Sequence, residues 1–109
     1  MGDWKLLIER IRKFNSERDW DQFHNPKDLA LAISIEAAEL NELFLWKKAE
    51  DADKEKVKDE LADIFTYALL LADKYDLDIE EMINSKIDKN AIKYPVEKAK
   101  GSAKKYNEL

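Results

Sequence analysis

Four carboxylates fall in two pairs with the same spacing: Glu36 with Glu39, and Glu60 with Asp63. Residues three apart on an α-helix project from neighbouring points of one face, so each pair sets two carboxylates side by side. Apolar positions surround them. Leu29, Ala32, Ile33, Leu40 and Leu43 trace a helical stripe on which Glu36 also falls. Val57, Leu61, Ile64 and Ala68 trace a second stripe beside Glu60 and Asp63. A carboxylate on a core-facing stripe is costly unless its charge is compensated. Four that converge cannot all stay ionised without cations among them. Basic side chains, bound protons or a metal ion could each compensate. Neither stripe contains a lysine or arginine, which disfavours the first. The chain has one histidine and no cysteine, so oxygen ligands dominate, and these suit magnesium or manganese rather than zinc. Glu-x-x-Glu alone is common on solvated helix faces. Its pairing with Glu-x-x-Asp inside two apolar stripes is what favours a metal site.

A second group of residues suits a nucleobase. Trp46 lies seven residues beyond Glu39, two helical turns along the same expected face, and Tyr67 follows Asp63 by four. Trp20, Phe23 and His24 come from a break between helices. Aromatic rings beside a metal-bound polyphosphate could stack on a base, with the Tyr67 hydroxyl as a polar contact. Ordinary core packing accounts for Phe23 and Trp46 equally well, and a lone histidine more often packs or caps than binds. Between Lys86 and Lys105 stand seven lysines against two acids, Asp88 and Glu97. That segment is either a solvated face or a phosphate-binding patch in an otherwise acidic protein.

The elements that must position these residues are helices. Two glycines and two prolines in 109 residues leave few places for tight turns, which argues against a sheet protein. The first helix is expected from about Asp3, its N-cap, to Arg18, with Leu6, Leu7, Ile11 and Phe14 as its apolar stripe. A break spans Asp19 to Asn25. The second helix opens at Asn25-Pro26, with Asp28 in its first turn, and is expected to reach about Lys48. The third runs from near Asp53 to about Lys74. Asp78-Ile-Glu-Glu81 reads as a variant capping box opening a fourth helix, from about Ile79 to Ile92. Pro95 ends it by pushing Tyr94 out of helical geometry. The tail containing Gly101 is expected to be irregular.

The length is that of one domain, residues 1–109, able to bury a modest core. Hydrophobic residues are 45% and charged residues 39%, a mix that fits a folded, helix-rich chain. A net charge of −5 disfavours a nucleic-acid surface. No apolar run is long enough for a signal peptide or a membrane span, and a cytoplasmic location is expected.

The order Glu36-x-x-Glu39, a spacer, then Glu60-x-x-Asp63 resembles the signature of the all-α nucleoside triphosphate pyrophosphohydrolases, the MazG-like superfamily. The segments Glu17-Arg-Asp-Trp-Asp-Gln-Phe-His24, Asn25-Pro26, Glu39-Leu-x-Glu-Leu-Phe-x-Trp46, Lys93-Tyr-Pro95 and Lys104-Lys-Tyr106 look like its dCTP pyrophosphatase branch. The resemblance spans about Phe14 to Leu109. It implies a four-helix bundle-type subunit that assembles into a dimer or tetramer, helices of one subunit completing a partner's pocket. It implies that Glu36, Glu39, Glu60 and Asp63 hold magnesium, with manganese as a possible substitute. Trp20 and His24, with Asp21, Gln22 and Phe23 between them, would line a nucleoside pocket. Trp46 would pack on or near the base, and Tyr67 would face sugar or phosphates. Lys86, Asn90 and Lys93 fall in the family's phosphate-contacting segment, while Ser102, Lys105 and Tyr106 would reach a neighbouring site. Ile11 departs from the pattern, since the animal enzymes carry a substrate-contacting histidine there. The reaction implied is attack of an activated water on the α-phosphorus of a nucleoside triphosphate, dCTP or a 5-substituted derivative, with pyrophosphate leaving. Removal of surplus or modified nucleotides is the role this implies.

Three other readings stay open at this point. The same chemistry could act on dUTP or another non-canonical triphosphate, as the departure at Ile11 allows. A non-catalytic helical interaction module could use the acids to bind a basic partner, although Glu36 and Glu60 sit on inward stripes. A metal buffer is disfavoured by the absence of EF-hand loop spacing.

Overall fold

The structure, a computed structural model, describes residues 4–109. Its helices are α1 (Trp4–Glu17), α2 (Pro26–Glu42), α3 (Lys54–Lys74), α4 (Ile79–Lys93) and the single turn α5 (Val96–Ala99). Short 3₁₀ turns occupy Asp21–Phe23, Ala49–Asp51 and Tyr106–Glu108. The fold is all-α, and the described residues contain no strand. No helix among them is long and apolar enough to cross a membrane. The chain divides into two compact units, Met1–Leu77 and Asp78–Leu109.

Helix starts lie where local chemistry places them. The Asn25 side-chain oxygen accepts from the Asp28 N–H at 2.9 Å, with Pro26 at the first helical position. Asp53 accepts from the N–H groups of Glu55 and Lys56, and Asp78 from that of Glu81 at 2.9 Å. Each satisfies backbone donors that the first turn leaves without partners, and losing one costs about 1 kcal/mol. The cap expected at Asp3 lies outside the described residues.

The end of α2 differs from expectation. Instead of continuing to about Lys48, the helix stops at Glu42. The N–H groups of Leu43, Phe44 and Leu45 bond to carbonyls three residues back, at 3.1–3.2 Å, so the last turns tighten. Trp46 then adopts a positive φ of 60° and is 99% exposed. It therefore does not continue the face that carries Glu36 and Glu39.

Helices α1 and α3 each end in the same reversal. After α3 the Asp76 N–H bonds to the Asp73 carbonyl at 3.1 Å, and the Leu77 N–H to the Ala72 carbonyl at 2.9 Å. After α1 the Asp19 N–H bonds to Ser16 at 3.1 Å and the Trp20 N–H to Asn15 at 2.9 Å. These are Schellman pairs, with Asp76 (φ 54°) and Asp19 (φ 56°) at the left-handed position that glycine fills at least cost. Asp76→Gly is accordingly expected to raise stability by about 0.5–1 kcal/mol, measured as a higher urea midpoint at unchanged slope.

In the first unit α3 packs along α2 and also against α1. Arg12 on α1 donates to both carboxylate oxygens of Asp73 on α3, its Nε at 2.8 Å. That guanidinium holds the Asp73 carboxyl below the usual range. Leu29, Leu69, Leu70 and Ala72 are buried. Much of the expected apolar surface is not: Leu6, Leu7 and Phe14 of α1, and Leu61 of α3, stay exposed. A unit this small encloses few side chains completely.

In the second unit the tail is more regular than expected. Pro95 ends α4 yet starts α5, its carbonyl accepting from Lys98 and Ala99 at 3.0 and 2.9 Å. Tyr94 and Tyr106 meet edge to face at 6.2 Å, and the Lys93 Nζ lies 5.0 Å from the centre of the Tyr106 ring.

Candidate active site

Helices α2 and α3 bring three of the four expected acids together. Carboxylate oxygens of Glu36, Glu60 and Asp63 all lie within 4.8 Å of one another. Glu36 and Glu60 are half-buried and Asp63 is exposed. Glu39, one turn along α2, is exposed and stands outside that close group.

The electrostatics express the crowding. Burial first, then the neighbouring carboxylates of Glu60, Glu39 and Asp63, push the Glu36 carboxyl up to about 7. Burial, followed by the charges of Glu36, Asp63 and Glu39, raises the Tyr67 phenol as well. One oxygen of Glu36 and one of Glu60, both Oε2, are buried without a hydrogen-bond partner. Buried polar atoms are nearly always satisfied, so two orphaned oxygens in one carboxylate cluster need a shared proton or a cation. The donors are all hard oxygens, and they fit a divalent cation of the magnesium or calcium class.

Asp63 also borders a cavity of about 460 Å³, lined as well by Ile11, Asn15, Trp20, His24 and Tyr67. Trp20 stands edge-on to Phe14 with ring centres 5.6 Å apart, and His24 edge-on to Tyr67 at 6.3 Å. The reversal at Asp19 places Trp20 here, because its N–H returns to α1. A cavity of this size, mostly apolar with a few convergent polar groups, has the dimensions and chemistry of a small-molecule pocket, and Asp63 borders both it and the acids.

Of the aromatic segment expected to line a pocket, Trp20 and His24 do so. Asp21, Gln22 and Phe23 are exposed and do not line this cavity. The Gln22 amide donates to the Asp19 carbonyl and carboxylate at 2.9 and 3.1 Å, bracing the reversal. Trp46 is also outside the cavity. Lys86, Asn90 and Lys93 lie on α4 in the second unit, at spacings of four and three that align them on one helix face. Sequence reasoning missed Asn15. It falls four residues after Ile11 and eight after Leu7, on the apolar stripe of α1, so the available signal was a polar residue out of place, the same anomaly that exposed the acids.

The MazG-like family model matches residues 31–109. The chain belongs to the MazG-like family. Among its relatives, the dCTP pyrophosphatase 1 of Bos taurus is 39% identical over 94% of this chain and 68% of its own length. The Homo sapiens protein of the same name is 37% identical over 94% of this chain and 67% of its own. The crystal structure of a pyrophosphatase from Archaeoglobus fulgidus superposes with a TM-score of 0.80 at 36% identity, covering 87% of this chain and 94% of that one. The matched MazG-like region contains all four acids, and the two relatives' alignments extend over nearly the whole chain.

Proposed function

We propose that this protein is a magnesium-dependent nucleoside triphosphate pyrophosphohydrolase that converts dCTP, or a 5-modified dCTP, to the monophosphate and pyrophosphate. One observation carries the reading: Asp63 belongs both to the carboxylate cluster and to the wall of an aromatic-lined cavity. A polyphosphate held at the first has its nucleoside at the second. Membership of the family and the names of the relatives support the nucleotide pyrophosphatase class and the choice of dCTP.

A divalent cation, when bound, neutralises the phosphates and eases deprotonation of the attacking water. Glu36, Glu60 and Asp63 would hold it, and its charge would compensate the buried, unpartnered carboxylate oxygens of Glu36 and Glu60. Glu39, one turn along α2 from Glu36, is the fourth proposed ligand, and Glu36 or Glu39 would take the proton from the water. The water oxygen bonds to the α-phosphorus as the bond from that phosphorus to the bridging oxygen breaks, and pyrophosphate carries the electron pair away. Trp20 and His24 enclose the base, and Tyr67 faces the sugar or phosphates. Homo-oligomeric assembly and a cytoplasmic location belong to the same proposal.

Pyrophosphate release from a panel of nucleoside triphosphates, with magnesium and then with excess chelator, tests it. Metal-dependent release, strongest with a cytosine deoxynucleotide, is expected. Preference for dUTP or another base would keep the chemistry and move the specificity. Absence of release from every nucleotide would overturn the reading.

A further inference from the structure

We propose that the buried carboxamide of Asn15 reads the pyrimidine base, donating a hydrogen bond to a base carbonyl oxygen or unprotonated ring nitrogen. This rests on the pyrophosphohydrolase reading and names the residue that recognises the base. Asn15 is 4% exposed, the one buried polar side chain among the described residues, and its Nδ2 is buried without a hydrogen-bond partner. It lines the same cavity as Trp20, His24, Asp63 and Tyr67. The carboxamide's surroundings suit a base better than a phosphate. Leu7, Ile11, Phe14 and Trp20 line the cavity beside it, with Arg10 the one charged residue that α1 adds, and rings of this kind stack on bases. The Thr66 hydroxyl is already engaged, donating to the Ala62 carbonyl at 2.8 Å, whereas the His24 Nδ1, like the Asn15 amide, is buried without a partner.

The backbone explains how a lone asparagine is held there. Its carbonyl accepts from the N–H groups of Arg18 and Trp20 at 3.2 and 2.9 Å, so one residue anchors the chain reversal and fixes the position of its own side chain. The reversal that delivers the Trp20 ring to the cavity therefore delivers the Asn15 amide with it. A donor buried without a partner is a penalty that a correctly placed acceptor removes. A site built to hydrogen-bond one group discriminates far more sharply than an apolar pocket does.

The test compares dCTP with 2-deoxyribose 5-triphosphate, which lacks a base, in the wild type, Asn15→Leu and Asn15→Ala. Both variants remove the amide, one at similar volume and the other with less risk of a clash. Comparing the two substrates within each variant cancels any loss of correctly folded protein. The expected result is a drop in kcat/KM for dCTP on the order of 10- to 100-fold. It should arise through KM with kcat retained, while the base-free substrate is unaffected. An equal loss on both substrates, or none on dCTP, would overturn the role of Asn15. If the wild type releases no pyrophosphate from any nucleotide, the reaction itself is wrong. Calorimetric binding of dCTP and the base-free triphosphate then decides Asn15 alone: unchanged dCTP affinity in Asn15→Leu removes it from the site.

Discussion

Glu60→Gln is expected to abolish pyrophosphate release while making the metal-free protein more stable. The two effects have one cause. Glu60 sits half-buried within 4.8 Å of Glu36 and Asp63, one of its oxygens has no partner, and no basic side chain stands on either apolar stripe. Neutralising it relieves like-charge crowding, so in chelator the melting temperature should rise. The same change removes a ligand from the proposed cation site. A cation's contribution to catalysis is several kcal/mol, so turnover with magnesium should fall on the order of 10³-fold or more. Circular dichroism should show unchanged helix content, because the Asp53 cap and the packing of α3 are untouched. A variant that keeps near-wild-type turnover would remove Glu60 from the machinery. One that loses both turnover and melting temperature would make it a structural residue instead. Activity and stability moving in opposite directions is the pattern of a charged site kept for function.

What the sequence made legible was mostly local. Asn25-Pro26, Asp53 and Asp78 announce their helices because a cap needs only residues within one turn. The acids were legible because a charge on an apolar stripe contradicts the stripe, and the contradiction survives without knowing what packs against it. Their environments were less so. Asp63 is exposed, and Leu61, assigned to an inward stripe, is exposed too, because a helical period gives direction without saying what stands opposite. The end of α2 was missed because no glycine or proline follows Glu42; the residue that takes the left-handed position is Trp46, which sterics disfavour there. Moving Trp46 off the helix undid the two-turn spacing that had linked it to Glu39. Asn15 was missed because its burial depends on the chain reversing at Asp19, and Asn-Ser-Glu-Arg at a helix end reads as solvated.

The second large effect is the loss of a pH dependence in stability when the cation is supplied. Glu36 has an ordinary carboxyl value of 4.5 and is pushed up to about 7 by burial and by its carboxylate neighbours. Between those values the folded protein holds a proton that the unfolded chain has released, so stability must fall as pH rises. The contribution is fully present below 4.5 and lost as pH passes 7. Metal-free protein should therefore melt at a higher temperature at pH 5 than at pH 7.5 on account of this group. A divalent cation competes for the same carboxylate and requires the proton to leave. Magnesium affinity should weaken by about tenfold for each pH unit below 7, as for competition with one proton. Calorimetry in two buffers of different ionisation enthalpy would register about one proton released per binding event at pH 6. With magnesium in excess the melting temperature should instead be nearly level from pH 5 to pH 7.5, because the cation-bound folded protein and the unfolded chain then both leave this carboxyl deprotonated. Magnesium affinity independent of pH across this range would place the cation away from Glu36. A metal-free melting temperature that rose with pH would mean that the three carboxylates do not share one neighbourhood in solution, and the proposed cation site would go with them.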